Sequence, residues 1–410
     1  MVANPTLGVY VGFSRTLNTG AWSLGTSTLG TGTVLGDTYV TVYTDVAADV
    51  RKLSTTRGKN REMDAYQAGR CVIQLDNRAR DYDPLNLSGP YVTGGVTDVK
   101  PGRLIYVTAT DPTTGIVHRL FTGRIRNWRL DYTGGFDGVA TIEASDTLTD
   151  LANTDVVMAT TAVSIGAAAV EVLLEAGVTQ FAYDDGVFTA QAMTWTTKAL
   201  TALRTLELSE QAALYVETDG DVHFSSTAAL VTEARSRVSQ ATFGSGNLLH
   251  ESNAIDYDSD QVINIVSLTR LDGVEQSSSD QSSMDAYGHR SYTQTGLANA
   301  SDTDVAAVAD YIIGKFAEPL ARIGGIEFAP RKHADLMTQA LSRRIRDRVT
   351  VTFSPVGGGT ISQELFITGI AHDITAQSGM RTSFSFESAE WSFGWILGTD
   401  ALGAAQLALL

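Results

Sequence analysis

The chain has 410 residues, enough for two or three domains, and its hydrophobic share of 43% excludes wholesale disorder. The 30 basic and 46 acidic residues leave a net charge of −16, which argues against general binding of nucleic acid. Only 19% of the residues are charged and 38 are glycine, and this composition predicts a mainly β protein, because β-branched and aromatic side chains suit a pleated, half-buried surface.

The N-terminal residues 1–36 are rich in Gly, Thr, Ser and Leu and carry few charges. We predict an extended arm or loosely packed strands here, because Val9, Phe13 and Trp22 require burial. An arm docked on a neighbouring subunit would satisfy both the composition and this burial. Over 37–155, short apolar or alternating runs predict strands, and turns containing Gly, Pro and Asp separate them. Many short strands at this spacing predict a first β-barrel domain over 37–155.

Residues 156–250 change period and predict an α+β insert domain. Helices are expected over 162–176, ended by Gly177, and over 197–214. Between two short strands, Asp219-Gly220 predicts a type I′ hairpin turn with both residues at positive φ.

Strands return over 251–390, where we predict a second β-barrel domain. The Ser- and Asp-rich stretch 276–285 predicts an exposed loop. A helix is expected at about 302–316, capped by Ser301 or Asp302. The apolar tail 391–410 has Asp400 as its only charged residue, so it is expected to be covered by a partner surface or a groove.

The single cysteine, Cys71, excludes an intrachain disulfide and a cysteine-rich zinc site. Because Cys71 alternates with Ile73 and Leu75, it is expected to be a small buried hydrophobic residue. The sequence lacks the pattern of a signal peptide and any run of 18 apolar residues. We therefore expect a soluble product without a membrane span, folded in a reducing cytoplasm.

Two segments of the chain are similar and indicate an internal duplication. In the first, Arg103 precedes Gly123 by 20 residues, and in the second, Arg348 precedes Gly369 by 21. Both read as strand, loop, strand, a Thr-Gly corner and a closing strand, although any two β meanders share some of this pattern. The duplication predicts two related β-barrels flanking the insert, with a glycine at each corner for a bend or bulge.

The candidates for chemistry all have a structural explanation. Asp81 and Asp83 beside Pro84 are typical of a turn. The sequences around 184–186 and 219–221 are turn signals that lack the ligand spacing of a calcium loop. No two histidines lie three or four residues apart; they are His118, His223, His250, His289, His333 and His372. We therefore nominate no catalytic, cofactor-binding or metal-binding residue, expect no cofactor, and predict that the protein is not an enzyme.

Arginines cluster near the C-terminal end of the predicted second barrel, at Arg343, Arg344, Arg346 and Arg348. A solvated face or ion pairs between subunits would explain them. Contact with passing DNA is the alternative, and the net charge of −16 argues against it.

Several short motifs together resemble the tail-tip proteins of long-tailed phages, known as minor tail proteins, baseplate hub proteins or tail-associated proteins. The resemblance covers most of residues 45–390. The motifs are Asp49-Val50-Arg51, Arg57-Gly58, Gln67–Asn77, Asp83-Pro84, Lys100–Gly102, Leu120–Gly123, Ala286–Arg290 and Ile367–Ile374.

This resemblance implies a hub of two similar barrels with an inserted α+β region, assembled as a homotrimeric ring that closes the tail tube. The implied partners are further copies of the chain, a distal tail ring protein, the tape-measure protein and other minor tail proteins. Phage DNA would pass through without specific binding. The implied location is the virion tail tip, after assembly in the host cytoplasm.

Two other functions stay open at this point. The protein could be a receptor-binding minor tail protein that recognises host cell-wall carbohydrate through aromatic side chains such as Trp22, Trp128 and Trp195. It could also be a peptidoglycan hydrolase, although no pair of carboxylates is nominated by its spacing.

Overall fold

The computed structural model describes residues 2–17, 39–257, 261–319, 321–376 and 378–389. Strands dominate the described residues, and the predicted mainly β fold with an α+β region is confirmed. The tail predicted over 391–410, and residues 18–36 of the predicted arm, lie outside the described residues. None of the described helices is long and apolar enough to cross a membrane.

The first part of the chain consists of strands. They are β1 (Thr6–Leu17), β2 (Tyr39–Asp45), β3 (Val50–Gly58), β4 (Gln67–Asp76), β5 (Val92–Thr93), β6 (Val96–Thr97), β7 (Leu104–Thr110), β8 (Val117–Thr133) and β9 (Asp137–Ser145).

The middle of the chain alternates between helices and strands. The elements are α1 (Thr147–Leu151), β10 (Asp155–Thr160), α2 (Ile165–Glu175), β11 (Phe181–Tyr183), β12 (Met193–Lys198), α3 (Ala199–Glu210), β13 (Ala213–Val216), β14 (Val222–Ser225), α4 (Ala229–Thr232) and α5 (Ala234–Arg237).

The last part is again rich in strands. The elements are β15 (Thr242–Phe243), β16 (Ser252–Asp256), β17 (Ile265–Arg270), β18 (Gln276–Ser279), α6 (Gln281–Tyr287), β19 (Ser291–Leu297), α7 (Asp302–Phe316), β20 (Arg322–Phe328), α8 (Ala334–Ser342), β21 (Arg348–Phe353), β22 (Ile361–Thr375) and β23 (Gly379–Ser388).

One large sheet of 13 strands runs through both halves of the chain, in the order β16-β20-β23-β22-β3-β4-β9-β8-β7-β1-β2. Strand β21 joins it beside β22, and β15 pairs with β21. The strands of the two predicted barrels are thus connected through the pairing of β3 with β22. That pairing extends from Lys52 opposite Thr375 to Gly58 opposite Gly369.

The two similar segments form two similar antiparallel meanders, β7-β8-β9 and β21-β22-β23. Both contain a long central strand, and in both the register shifts close to the Thr-Gly corner. A Cβ on Gly123 would lie 2.3 Å from the carbonyl oxygen of Ser145, and one on Gly369 would lie 2.7 Å from that of Lys59. The corner glycines are therefore required because neighbouring backbone passes too close for any side chain.

Of the two alternatives predicted for the N-terminal residues, residues 6–17 follow the strand and not the docked arm. They form β1, which pairs with β2 and β7 of the same chain. Val9, Val11 and Phe13 are buried in the core of this chain rather than against a neighbour. A position between β7 and β2 in the sheet satisfies both the apolar side chains and the backbone hydrogen bonds of this segment.

The described residues form two main hydrophobic cores. The first belongs to the large sheet and includes side chains of α8, and Cys71 is fully buried in it as predicted. The second joins residues 148–224 to residues 263–317. The helix predicted at 302–316 is present as α7, with Ser301 as its N-cap, and it packs on β17 and β18 in this second core. The domain limits themselves stay a prediction.

Two local predictions in the middle of the chain are wrong. Gly220 has a φ of 101°, but Asp219 has no positive φ, so the connection between β13 and β14 is not a type I′ turn. It spans five residues instead, closed by a hydrogen bond from Glu217 N to Asp221 O. The stretch 276–285 is not a loop but forms β18 and most of α6, because Asp280 caps the helix and Ser283 donates to Ala317 O.

We expect Gly123→Ala to lower the free energy of unfolding by about 1–3 kcal/mol, because the added methyl group overlaps the Ser145 carbonyl. Urea denaturation measures this change. Thr133→Ala, at the exposed end of the same strand, is the control and should leave stability nearly unchanged. An equal loss in both variants would contradict the role assigned to the corner.

Candidate functional site

The acidic residues considered for chemistry have structural roles. Asp83 pairs with Arg80 at 2.7 Å and accepts a hydrogen bond from Leu85 N at 2.8 Å, which is a turn with an Asx-type bond. Asp184 accepts a hydrogen bond from Ser225 Oγ at 2.9 Å, and so stabilises the end of β14. Among the described residues, no group of three or more His, Cys, Asp and Glu is arranged to hold a metal ion.

The arginine cluster lies mostly inside the protein, which differs from the expected solvated face. Arg343 pairs with Asp347 at 3.3 Å, and Arg348 pairs with Glu364. The guanidinium of Arg346 donates to the carbonyl oxygens of Ser225 and Ser226, both at 2.7 Å. Arg346 and Arg348 thus connect separate segments of this chain, Arg343 pairs locally, and only Arg344 of the four is exposed.

The main path of the described sheet ends in the edge strands β2 and β16, and the short β15 ends the branch beside β21. On β2, the side chains of Val40 and Val42 are 50% and 39% exposed. Near the opposite edge, Ile255 and Tyr257 are also largely exposed. An edge strand offers unpaired backbone groups to another strand, and exposed apolar side chains beside it favour such contact.

Three tyrosines form a ladder on the outer face of the sheet next to the β2 edge. The rings of Tyr10 and Tyr43 lie 4.5 and 4.8 Å from that of Tyr106. The Arg119 guanidinium lies 4.0 Å from the centre of the Tyr106 ring, a cation–π contact. A Cβ on Gly8 would overlap the Tyr10 ring, so the glycine leaves the room in which that ring lies flat.

The two main cores meet at a set of buried charged side chains, which we call the ionic joint. It lies where β22 changes its neighbour from β21 to β3, close to Gly58 and Gly369. The joint comprises Arg57, Lys59, Glu62, Arg204, Glu207, Glu217, Lys315, Arg322, Arg346 and Glu387.

Several contacts of the ionic joint connect the sheet to the second core. Arg57 of β3 pairs with Glu217 after β13 at 2.8 Å. Glu62, in the loop after β3, pairs with Lys315 of α7 at 3.2 Å and also with Arg322. Arg204 of α3 donates to the carbonyl oxygen of Tyr66 in the same loop. Directional polar contacts therefore fix how the two cores sit against each other.

The pKa values in the joint reflect burial opposed by pairing. Burial lowers the pKa of Lys59. Burial alone would raise the pKa of Glu387, but Lys59 and Lys315 outweigh it and hold that pKa well below its usual 4.5. Because the folded-state pKa is lowered, the stability that Glu387 contributes is present above about pH 4.5 and is lost as the pH falls towards its lowered pKa.

Sequence reasoning did not find the joint. Its partners are far apart along the chain: Glu217 follows Arg57 by 160 positions. The sequence offered one signal of a buried charge. Lys315 comes just after the apolar residues that form the buried face of the amphipathic helix α7. That pattern does not identify the partner.

The fold is shared with two tail proteins of known structure. A 43 kDa tail protein of prophage MuSo2 from Shewanella oneidensis superposes with a TM-score of 0.56 at 14% identity, over 95% of this chain and 98% of that one. A tail protein from Neisseria meningitidis MC58 gives 0.59 at 12% identity, over 94% and 97%. No protein-family model matches the chain, and no curated protein does.

The chain therefore has the fold of phage tail proteins along nearly its whole length. The resemblance predicted from the sequence is confirmed at the level of the fold.

We expect Arg57→Met to lower the free energy of unfolding by about 3–5 kcal/mol, because Glu217 would remain buried without its partner. Adding Glu217→Gln should restore most of this loss, and chemical denaturation measures both variants.

The exposed pair Arg129–Asp131 provides the matched control. Arg129→Met should cost about 0–1 kcal/mol. A loss as small as this for Arg57→Met would show that the ionic joint does not stabilise the fold.

Proposed function

We propose that this protein is a structural component of a phage tail tip, in which three copies form a ring that closes the tail tube. The observation that carries the proposal is the fold, shared end to end with two tail proteins of nearly the same length. In this role the protein is not an enzyme, and it acts by holding other tail-tip proteins in place.

The duplication supports a ring of three. Each chain carries two similar meanders, β7-β8-β9 and β21-β22-β23, in one continuous sheet. Three copies would present six similar units, which suits neighbours with sixfold symmetry. The edge strands β2 and β16, with their exposed apolar side chains, are the proposed contacts between copies.

The charge of the protein supports a channel that DNA crosses without being bound. The net charge is −16, and most of the arginine cluster is occupied by partners in the same chain. Phage DNA would therefore pass without specific binding. The proposed partners are the chain's own copies, a distal tail ring protein, the tape-measure protein and further minor tail proteins, at the tip of the virion tail.

We expect the purified chain to form a particle of three times 43.7 kDa, and Val42→Asp to shift it towards monomer, because a charge beside the β2 edge opposes strand pairing. Light scattering after size exclusion measures the mass, and electron microscopy of labelled tails locates the protein.

The control for this variant is Val157→Asp, which changes a more exposed valine on β10, away from the large sheet. It should leave the trimer intact. A strict monomer that is absent from tail tips would overturn the proposal.

A second candidate function, recognition of host cell-wall carbohydrate, is favoured by the tyrosine ladder. The rings of Tyr10 and Tyr106 are stacked, and that of Tyr43 meets Tyr106 edge-on. Aromatic rings grouped in this way beside an arginine form a platform that suits a sugar ring. If this function is correct, the protein binds purified host wall glycan in a pull-down assay, and Tyr43→Ala loses most of the binding. Equal binding by wild type and Tyr43→Ala would exclude the ladder as the site.

A further inference from the structure

A cavity of about 200 Å³ lies beside the ionic joint, between the loop 59–66, α3 and α7. One part of its wall is charged and includes Lys59, Lys315 and Arg346. Another part is apolar and aromatic. It is formed by Leu208, Leu230, Ile263, Tyr311, Ile312 and Phe316. The cavity therefore offers buried charge next to an apolar surface.

The buried charges around the cavity do not balance. Glu387 pairs with Lys59, and Glu207 pairs with Arg204. Glu62 forms ion pairs with both Lys315 and Arg322. Within the described residues, Arg346 has two carbonyl oxygens as partners but no carboxylate. Five cations thus face three buried carboxylates. The fourth lining carboxylate, Asp64, lies exposed on the surface.

Such an excess is costly, because hydrogen bonds to carbonyl oxygens replace the lost hydration of a buried charge only in part when it has no counter-charge. It is also opposite in sign to the whole chain, whose net charge is −16. Lys315 and Arg346 both line the cavity. Burial and the charge of Arg346 lower the pKa of Lys315, but Tyr311 and Glu387 outweigh them, so the pKa is raised and Lys315 stays charged. An anion between the two cations would supply Arg346 with the carboxylate partner that the described residues do not give it, and the adjacent Tyr311 and Phe316 would cover an apolar group attached to it.

We propose that this cavity binds a small carboxylate with an apolar body, whose carboxylate lies against Lys315 and Arg346 and whose body packs on Tyr311 and Phe316. This site goes beyond the proposed function in the tail. All the residues that form the cavity belong to one chain, so the proposed binding does not require the protein to form a ring.

The test uses sodium benzoate as the probe, with isothermal titration calorimetry and thermal unfolding of the full chain. Benzoate should bind saturably and raise the Tm. Benzyl alcohol, which keeps the ring but lacks the carboxylate, should bind at least about tenfold more weakly, as should acetate, which lacks the ring. Absence of benzoate binding would overturn the proposal, as would equal binding of benzyl alcohol, acetate or inorganic phosphate.

The informative variant is Lys315→Met, because Glu62 keeps Arg322 as its partner and one excess positive charge is removed. Without benzoate, this variant should remain folded with a Tm somewhat below that of the wild type, because Glu62 and Glu387 each lose one of their cationic neighbours. Its affinity for benzoate should fall about tenfold. Lys332→Met removes an exposed lysine outside the cavity and should bind benzoate like the wild type. Unchanged affinity in Lys315→Met would overturn the assignment.

Discussion

Strand β22 is the element on which the rest of the structure depends. Its first half pairs with β21, its second half pairs with β3, and β23 lies along its other side. The change of neighbour requires close backbone approach at Gly58 and Gly369, where a Cβ would overlap a carbonyl oxygen. Because of this one strand, two similar meanders become one sheet instead of two separate units.

The ionic joint lies at the same place, and the physical character of the interface follows from it. The two main cores are apolar, whereas the boundary between them is held by buried charge pairs such as Arg57–Glu217. A buried ion pair stabilises the fold only in a well-defined geometry, because displacing one partner leaves the charge of the other buried without compensation. The joint therefore orients the second core on the sheet. The proposed tail-tip ring would need such fixed geometry, since its copies would have to repeat the same contacts.

Much of the fold was predictable from local patterns. The strand runs, the helix α7 with its Ser301 cap, the burial of Cys71 and the repeated meander with its glycine corner all follow from period and spacing. The errors have local causes. Residues 6–17 resemble an arm in composition but complete the sheet, and the serines of 276–285 form ordered elements because Ser283 and Asp280 find backbone partners.

The sequence by itself determined the class of structure, because alternation and turn chemistry act between near neighbours. It also determined the duplication and the acidic charge. Tertiary structure alone decided where buried charges meet. Lys59, Lys315 and Glu387 come from three distant segments, and no periodicity relates them. The excess of positive charge around the cavity arises only when the two cores pack together. Within its own helix, strand or loop, none of these charged residues differs from an ordinary surface charge.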